Sequence, residues 1–235
     1  MYELLRRSMQ VALSASRHLS VGARRGLLLG TATVPGYFVV AAVVSSSTAP
    51  SPAPPPSDVP HTGMMLVEPE IKSTFVLRRT AADTENAYVE LDLLMEAGGG
   101  PGHLASHVHP SVSEELRVLE GSVVINIEGE DHVLTAGGRA VIPKGVSHAI
   151  LNVSDRFALV RGRFEPASHL DTYYVQVNRA GGFSGAGSVR LAVLSTRFRQ
   201  QYPGWLPLWM AKAGHLLIAP SARLVGVPTN YPPLS

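Results

Sequence analysis

The sequence predicts an all-β fold for residues 63–166, preceded by a segment that lies outside the core and followed by helices. Two observations carry this prediction. Short runs of β-branched or alternating apolar residues recur along this part of the chain, and glycine- or proline-containing turns separate them. Strands with this spacing are typical of a sandwich or a barrel. The predicted strands cover residues 75–79, 87–95, 115–119, 122–128, 132–134, 140–143, 148–153 and 157–164.

Composition limits the classes of protein to which the chain can belong. It has 235 residues, 45% hydrophobic and 16% charged, which is enough apolar material for one sizeable core. It has no cysteine, which excludes a disulfide framework, a cysteine zinc site and thiol catalysis. Of its 20 basic and 18 acidic residues, five arginines and one glutamate lie in residues 1–57, so residues 58–235 are mildly acidic. Because phosphate binding needs clustered basic residues, we expect no nucleic-acid partner.

The N-terminal segment has the pattern of a membrane anchor. Residues 1–25 are basic and rich in serine, and residues 26–45 are twenty consecutive residues without a charge. A helix of that length spans roughly 30 Å, the thickness of the hydrocarbon core of a bilayer. The arginines precede the uncharged stretch, which places the N-terminus on the cytoplasmic (or matrix) side. We therefore expect a single-pass transmembrane helix with the folded domain on the non-cytoplasmic side.

Two other interpretations of this segment stay open. It is also compatible with a targeting segment, either a secretory signal or an organellar transit peptide, which would leave the folded part secreted or inside an organelle after cleavage. The third interpretation is a buried helix of the globular fold. The Pro/Ser-rich residues 46–62 argue against a buried helix, because such a stretch forms an extended linker rather than packed structure.

Residues 167–235 are predicted to form a helical extension. Ser168 and Asp171 have the spacing of a capping box, which predicts a helix that begins near Leu170. Residues 188–202 carry apolar side chains at helical spacing and predict an amphipathic helix. Residues 205–227 are mainly apolar, which favours a helix packed over the barrel; the alternative is a helix that lies in a membrane interface.

Four side chains in the β region have the spacing of a metal site. His107 and His109 are two residues apart, so in a strand both would point to the same face. Glu114 follows a short turn at the start of the next strand, and His148 begins a separate strand. Three neutral imidazoles and one carboxylate suit a divalent transition metal such as Fe, Mn, Ni, Cu or Zn. Four protein ligands on an octahedral ion would leave two positions for water or substrate.

Two segments around these side chains resemble the motifs of the cupin superfamily. The first has His107 and His109, then Glu114, and a glycine at Gly121. Six residues before His107 the family has a glycine and this chain has Pro101, a difference that affects the loop and not the ligands. The second motif matches at each fixed position, which are Gly137, Pro143, Gly145, His148 and Asn152.

The resemblance implies a double-stranded β-helix, or jelly-roll cupin barrel, over residues 63–166. It also implies that His107, His109, Glu114 and His148 are the metal ligands. Glu115 competes with Glu114 for the carboxylate position, and the spacing to Gly121 favours Glu114. Members of the superfamily commonly pair, so the resemblance also implies a homodimer.

The expected interior of the barrel is apolar beyond the ligands. Alternation from Glu114 turns Leu116 and Val118 inward, and alternation from His148 turns Ile150 inward. Apolar walls around an open metal favour a small organic molecule, such as an aromatic or phenolic one. We therefore expect a metal-dependent, dioxygenase-like enzyme, with no catalytic residue assigned. A non-catalytic metal or small-ligand binding module is the alternative, and a structural or interaction protein is the third.

Overall fold

The computed structural model describes residues 59–100, 106–183, 188–224 and 227. Within these residues, eleven strands and three helices follow one another along the chain. The strands are β1 (Met65–Glu68), β2 (Ser73–Arg79), β3 (Val89–Met95), β4 (His107–Val108), β5 (Ser113–Glu120), β6 (Ser122–Ile127), β7 (Glu130–Thr135), β8 (Arg139–Ile142), β9 (Ser147–Leu151), β10 (Ala158–Glu165) and β11 (Tyr202–Pro203). The helices are α1 (Leu170–Arg179), α2 (Ser188–Phe198) and α3 (Leu208–Leu224), and a 3-10 turn (Pro69–Ile71) connects the first two strands.

The strands form two antiparallel sheets, which confirms the predicted all-β jelly-roll fold with C-terminal helices. The larger sheet has the order β1-β2-β3-β10-β5-β8, and the smaller has the order β11-β4-β9-β6-β7. Consecutive strands β5 and β6 belong to different sheets, so the chain crosses between them at Gly121. That glycine has φ +77, a left-handed conformation that residues with a Cβ rarely adopt.

Alternating burial explains why these sequences form strands at these places. In β10, every second side chain from Ala158 to Phe164 is buried, as expected for a strand with one face in the core. In β7, five of the six side chains are exposed, and this strand lies at the outer edge of the smaller sheet. Charged residues such as Glu130 and Asp131 make that edge a poor template for pairing with another chain.

One apolar cluster fills the space between the two sheets and continues under α1. Leu77 and Met95 of the larger sheet, Ile125 of the smaller sheet and Tyr173 of α1 are all fully buried in it. Complete burial of one such aliphatic side chain stabilises the fold by about 1.5–3 kcal/mol. The helix is therefore part of the core and not an appendage.

Each of the eight predicted strand segments overlaps an observed strand, and three observed strands lie outside those segments; the strand expected to hold both His107 and His109 ends at Val108. β1 is a short edge strand, and β4 and β11 have two residues each, so none of them carries enough periodicity to be recognised. β11 comes from the extension that was predicted to be helical, and it pairs with β4. The extension thus contributes an edge strand to the barrel itself.

The predicted capping box at the start of α1 is wrong. The residue before the helix is His169, which has φ 60 and makes no side-chain capping bond. Asp171 instead accepts hydrogen bonds from the backbone N–H of Ala81, at 2.8 Å, and of Thr172, at 2.7 Å. Its carboxylate therefore fastens the helix to the loop after β2, and a partner so far away in sequence could not be read from local spacing.

The last predicted helix is present from Leu208 and packs against α2 and β11. Ala211 and His215 lie on its buried side. Trp209, on the same helix, and Trp205, just before it, are each 71% exposed. Among the described residues, no helix is long and apolar enough to cross a bilayer. The predicted span at residues 26–45, the basic segment 1–25 and most of the linker 46–62 lie outside the described residues.

Candidate metal centre

The four predicted ligands come from three strands and one turn, and the fold brings them together. His107 lies in β4 and pairs with His148 of β9 across the smaller sheet, while Glu114 lies in β5 of the larger sheet. His109 follows the end of β4, and its carbonyl accepts a hydrogen bond from the N–H of Gly145 at 2.8 Å. The two sheets therefore face each other across this cluster.

The side chains of the cluster are buried and close to one another. One ligand atom from each of the four residues lies within 4.8 Å of the others. The Nε2 atom of His148 is 2.7 Å from Oε2 of Glu114, and the Nε2 atom of His109 is 3.8 Å from the same oxygen. The ring of His107 lies 4.4 Å from that of His148 and 4.9 Å from that of His109, measured between centroids.

These separations approach those of ligands around a single metal ion, and the widest of them, up to 4.8 Å, would close by roughly 0.6 Å on binding. Nitrogen and oxygen ligands bind a first-row metal at about 2.0–2.2 Å, so two ligands on opposite sides of an ion are roughly 4.2 Å apart. The donor set of three imidazoles and one carboxylate is also the one that such metals accept. Within the described residues, both ring nitrogens of His109, Oε2 of Glu114 and Nε2 of His148 are buried without a hydrogen-bond partner of good geometry. Buried polar atoms without partners are costly, and a bound cation would satisfy one nitrogen of His109, Oε2 of Glu114 and Nε2 of His148.

The orientation of His148 is set by its other ring nitrogen. Nδ1 lies 3.1 Å from the carbonyl oxygen of Val146, to which its N–H can donate. In that tautomer the lone pair of Nε2 faces Glu114 and the centre of the cluster. Histidine ligands are commonly fixed in this way by a hydrogen bond on the side away from the metal.

The protonation states of His109 and Glu114 also favour cation binding, whereas a cation would have to displace any proton that Glu114 holds on His148. Burial lowers the pKa of His109 to about 4, so its imidazole is neutral at ordinary pH and has a lone pair to offer. Burial alone would raise the pKa of Glu114, but the neighbouring His148 and His109 outweigh it and hold the pKa of this carboxyl below its usual value. Burial likewise acts to lower the pKa of His148, and the Glu114 carboxylate overcomes it and raises that pKa.

The neighbouring carboxylate, Glu115, points away from the cluster. It forms a bidentate ion pair with Arg139 of β8, with N···O distances of 2.6 and 2.8 Å, on the outer face of the larger sheet. Because successive side chains of a strand point to opposite faces, only one of the two glutamates can reach the interior. The structure therefore brings Glu114, and not Glu115, together with the histidines.

A pocket with mainly apolar walls opens beside the cluster. Leu116 and Ile150 line it as expected, whereas Val118 is buried in the core away from it. Its cavity volume is ≈ 30 Å³. The remaining apolar and aromatic walls are Phe75, Leu91, Leu93, Phe164, Tyr174 and Phe183, with Gly162 between them.

Sequence reasoning missed three pocket residues that come from the extension. Tyr174 lies on α1, Phe183 follows that helix, and Gln201 precedes β11. The ring of Tyr174 lies 5.2 Å from that of Phe75 and 5.9 Å from that of Phe183, between centroids. The alternation of β11 would have shown Gln201 to face inward, but a strand of two residues gives no such signal. The interior is thus less purely apolar than predicted.

Asn152, which follows the end of β9, stabilises the loop next to the cluster. It is fully buried, and its side-chain amide donates to the carbonyls of Met95, Glu96 and Arg156 at 3.3, 3.0 and 2.7 Å. Its Oδ1 accepts from the N–H and the hydroxyl of Ser154. These bonds tie the end of the His148 strand to the end of β3.

Comparison with known proteins identifies the domain. Residues 93–160 match the family model described as a cupin domain. Over 69 residues the chain is 32% identical to quercetin 2,3-dioxygenase of Bacillus subtilis strain 168, an overlap that covers 29% of this chain and 20% of that protein. The chain therefore spans one fifth of the length of that curated relative.

Comparison with solved structures gives matches that cover less than half of the chain. A protein described as a predicted oxalate decarboxylase, from Thermotoga maritima, is 18% identical with a TM-score of 0.38, over 44% of this chain and 99% of its own. An RmlC-like cupin from Shewanella frigidimarina is 21% identical with a TM-score of 0.34, over 41% of this chain and 78% of its own.

Proposed function

The chain is a cupin-domain protein, and from that premise we propose that it binds one divalent transition metal through His107, His109, Glu114 and His148. The observation that carries this proposal is the convergence of four buried donor groups within 4.8 Å. A cluster of this kind costs free energy to bury if nothing binds it, because several of its polar atoms have no partner of good geometry.

A bound metal would supply a Lewis-acid centre that polarises an oxygen of a ligating molecule. The residues of the chain prepare the site for that role. Val146 fixes the tautomer of His148, burial keeps His109 neutral, and Glu114 contributes the negative charge that offsets part of the charge of the cation. The surrounding apolar side chains exclude water and strengthen these electrostatic interactions.

We propose that the reaction, if the centre is catalytic, is a dioxygenase-like oxidation of a small organic molecule. The apolar and aromatic walls of the pocket favour an aromatic or phenolic substrate over a sugar, because a sugar would need more polar contacts. The similarity over 69 residues to quercetin 2,3-dioxygenase supports the same class.

The cavity volume favours a second candidate function. At ≈ 30 Å³, the cavity holds a few water-sized groups and not an aromatic ring. An aromatic substrate therefore requires the walls, Phe183 among them, to move. A non-catalytic metal or small-ligand binding module needs no such movement.

Metal analysis of the purified full-length chain tests the proposal. We expect close to one equivalent of a transition metal, retained after gel filtration without chelator. His148→Ala should lose the metal while the fold persists, whereas His132→Ala, on the exposed strand β7, should keep it. Retention of full metal content by His148→Ala would contradict the ligand set. Oxygen consumption with a panel of phenols then separates the enzyme from the binding module.

We further propose that residues 26–45 anchor the chain in a membrane, with the cupin domain on the non-cytoplasmic side. Support comes from the sequence, in which five arginines precede twenty uncharged residues and a Pro/Ser-rich linker follows them. Alkaline carbonate extraction of membranes should leave the full-length chain in the pellet. Release into the supernatant would contradict a spanning segment and favour cleavage of a targeting segment.

A further inference from the structure

The segment after α2 adds a strand beside the metal ligands. β11 pairs with β4 so that Tyr202 lies opposite Val108 and Pro203 lies opposite His107. Continued by one residue, this antiparallel register places Gln201 opposite His109. Residues opposite each other on neighbouring strands direct their side chains to the same face of the sheet. Gln201 therefore shares its face with the two histidines of the first motif.

The contacts of the two neighbours agree with this register. The ring of Tyr202 lies 4.9 Å from that of His215 on α3, between centroids, so it faces out of the barrel toward the helix. Gln201 is 8% exposed and lines the pocket together with His107, Glu114 and His148. Its carboxamide is thus a polar group placed among largely apolar walls.

One end of that carboxamide is held in place. The hydroxyl of Tyr173 donates to Oε1 of Gln201 at 3.3 Å, and the same hydroxyl lies 3.2 Å from Oγ of Ser195. Tyr173 and Ser195 are fully buried in the helical extension, which makes this support rigid. With Oε1 accepting, the NH₂ group is the end left to donate.

We propose that Gln201 determines which small ligands bind at the metal, by donating a hydrogen bond from its NH₂ group to an acceptor atom of the bound molecule. The ligand class is a small anion or oxygen-bearing molecule of a few heavy atoms, because the cavity volume is ≈ 30 Å³. The role of Gln201 rests on the proposed metal centre. A site that offers a donor discriminates against ligands that leave the donor unpaired.

Azide is a suitable probe, since it is small, anionic and an acceptor at its terminal nitrogens. The full-length chain is loaded with Co²⁺, and azide binding is followed through the visible absorption bands of the metal. Gln201→Leu removes the donor at similar volume and should weaken azide binding about three- to tenfold, the effect of one lost hydrogen bond. Gln201→Glu replaces the donor by an anion and should weaken binding by more than the leucine variant.

Gln200→Leu is the matched control. Gln200 is also buried, but its amide donates to the carbonyl of Ser168 and it is not part of the pocket. This variant should therefore retain the azide affinity of the unmodified chain, and both leucine variants should retain Co²⁺. If a leucine variant fails to fold, as judged by near-UV circular dichroism, azide binding is compared between Gln201→Glu and the unmodified chain instead.

The outcomes separate the role of Gln201 from the metal site itself. Full Co²⁺ content with unchanged azide affinity in both Gln201 variants would overturn the role of Gln201 and leave the metal site intact. Equal losses in Gln200→Leu and Gln201→Leu would also overturn it, because they would reflect loosening of the segment. A chain that retains no Co²⁺ would overturn the metal centre and the role of Gln201 together.

Discussion

Replacement of Asn152 by alanine should destabilise the barrel more than any comparable change of a surface amide. The side chain is fully buried and bonds three backbone carbonyls through its two N–H groups. Its Oδ1 accepts from the N–H and the hydroxyl of Ser154. Alanine would leave each of these groups without its partner.

The magnitude follows from the number of bonds lost. Two N–H donors and two accepted hydrogen bonds amount to four, and each contributes about 1 kcal/mol net. The groups of Ser154 and Arg156 lie near the surface and can be hydrated after the substitution, whereas the carbonyl of Met95 in the fully buried end of β3 cannot. We therefore expect Asn152→Ala to lower the free energy of unfolding by about 3 kcal/mol.

Urea denaturation of both chains, followed by circular dichroism, measures this difference. The control is Asn126→Ala, because Asn126 is also bonded through both ends, to Asp131 and to the N–H of Gly129, but on the exposed hairpin of β6 and β7. Its substitution should cost about 1 kcal/mol or less. A loss below about 1 kcal/mol for Asn152→Ala would refute the reasoning that the buried network holds the end of the His148 strand.

Three further outcomes are expected. Gly121→Ala should destabilise the chain by roughly 2 kcal/mol or more in the same denaturation assay. Gly121 has φ +77, and an added Cβ would lie 2.5 Å from the carbonyl oxygen of Phe157. A change within about 0.5 kcal/mol would contradict this reasoning. Addition of the bound metal at about one hundred times its dissociation constant should raise the free energy of unfolding by about 2.7 kcal/mol, and thermal unfolding of Glu114→Gln under the same conditions should show a clearly smaller gain. Burial lowers the pKa of His215 to about 4, whereas the pKa of histidine in the unfolded chain is about 6.5. The stability contributed by the neutral imidazole is therefore complete above about pH 6.5 and declines as the pH falls toward 4. His215→Phe should flatten the dependence of stability on pH between these values, and an unchanged slope would argue against a buried neutral imidazole.

The strands and the convergence of the four candidate ligands could be predicted from sequence because local patterns encode them. Alternation marks strands such as β10, and the fixed spacing of His107, His109, Glu114 and His148 follows from where strands must start and turn. The spacing to Gly121 favours Glu114 over Glu115, and in the structure the two side chains face opposite sides of β5, with Glu114 in the cluster.

The parts that could not be predicted depend on contacts between distant segments. Asp171 was assigned to a local cap, but its partner is Ala81, ninety residues earlier in the chain. Gln201 and Tyr174 reach the pocket only because the extension folds back onto the barrel. Neither a two-residue strand nor an isolated glutamine carries a periodic signal, so these pocket residues become visible only in three dimensions.

The position of a bound metal tests the central claim most directly. Crystals of the full-length chain loaded with a single transition metal would locate the ion by anomalous diffraction. We predict one ion bound to His107, His109, Glu114 and His148, with metal–ligand distances of about 2.0–2.2 Å. An anomalous peak at another place, or an ion that contacts fewer than three of these side chains, would contradict the proposed centre.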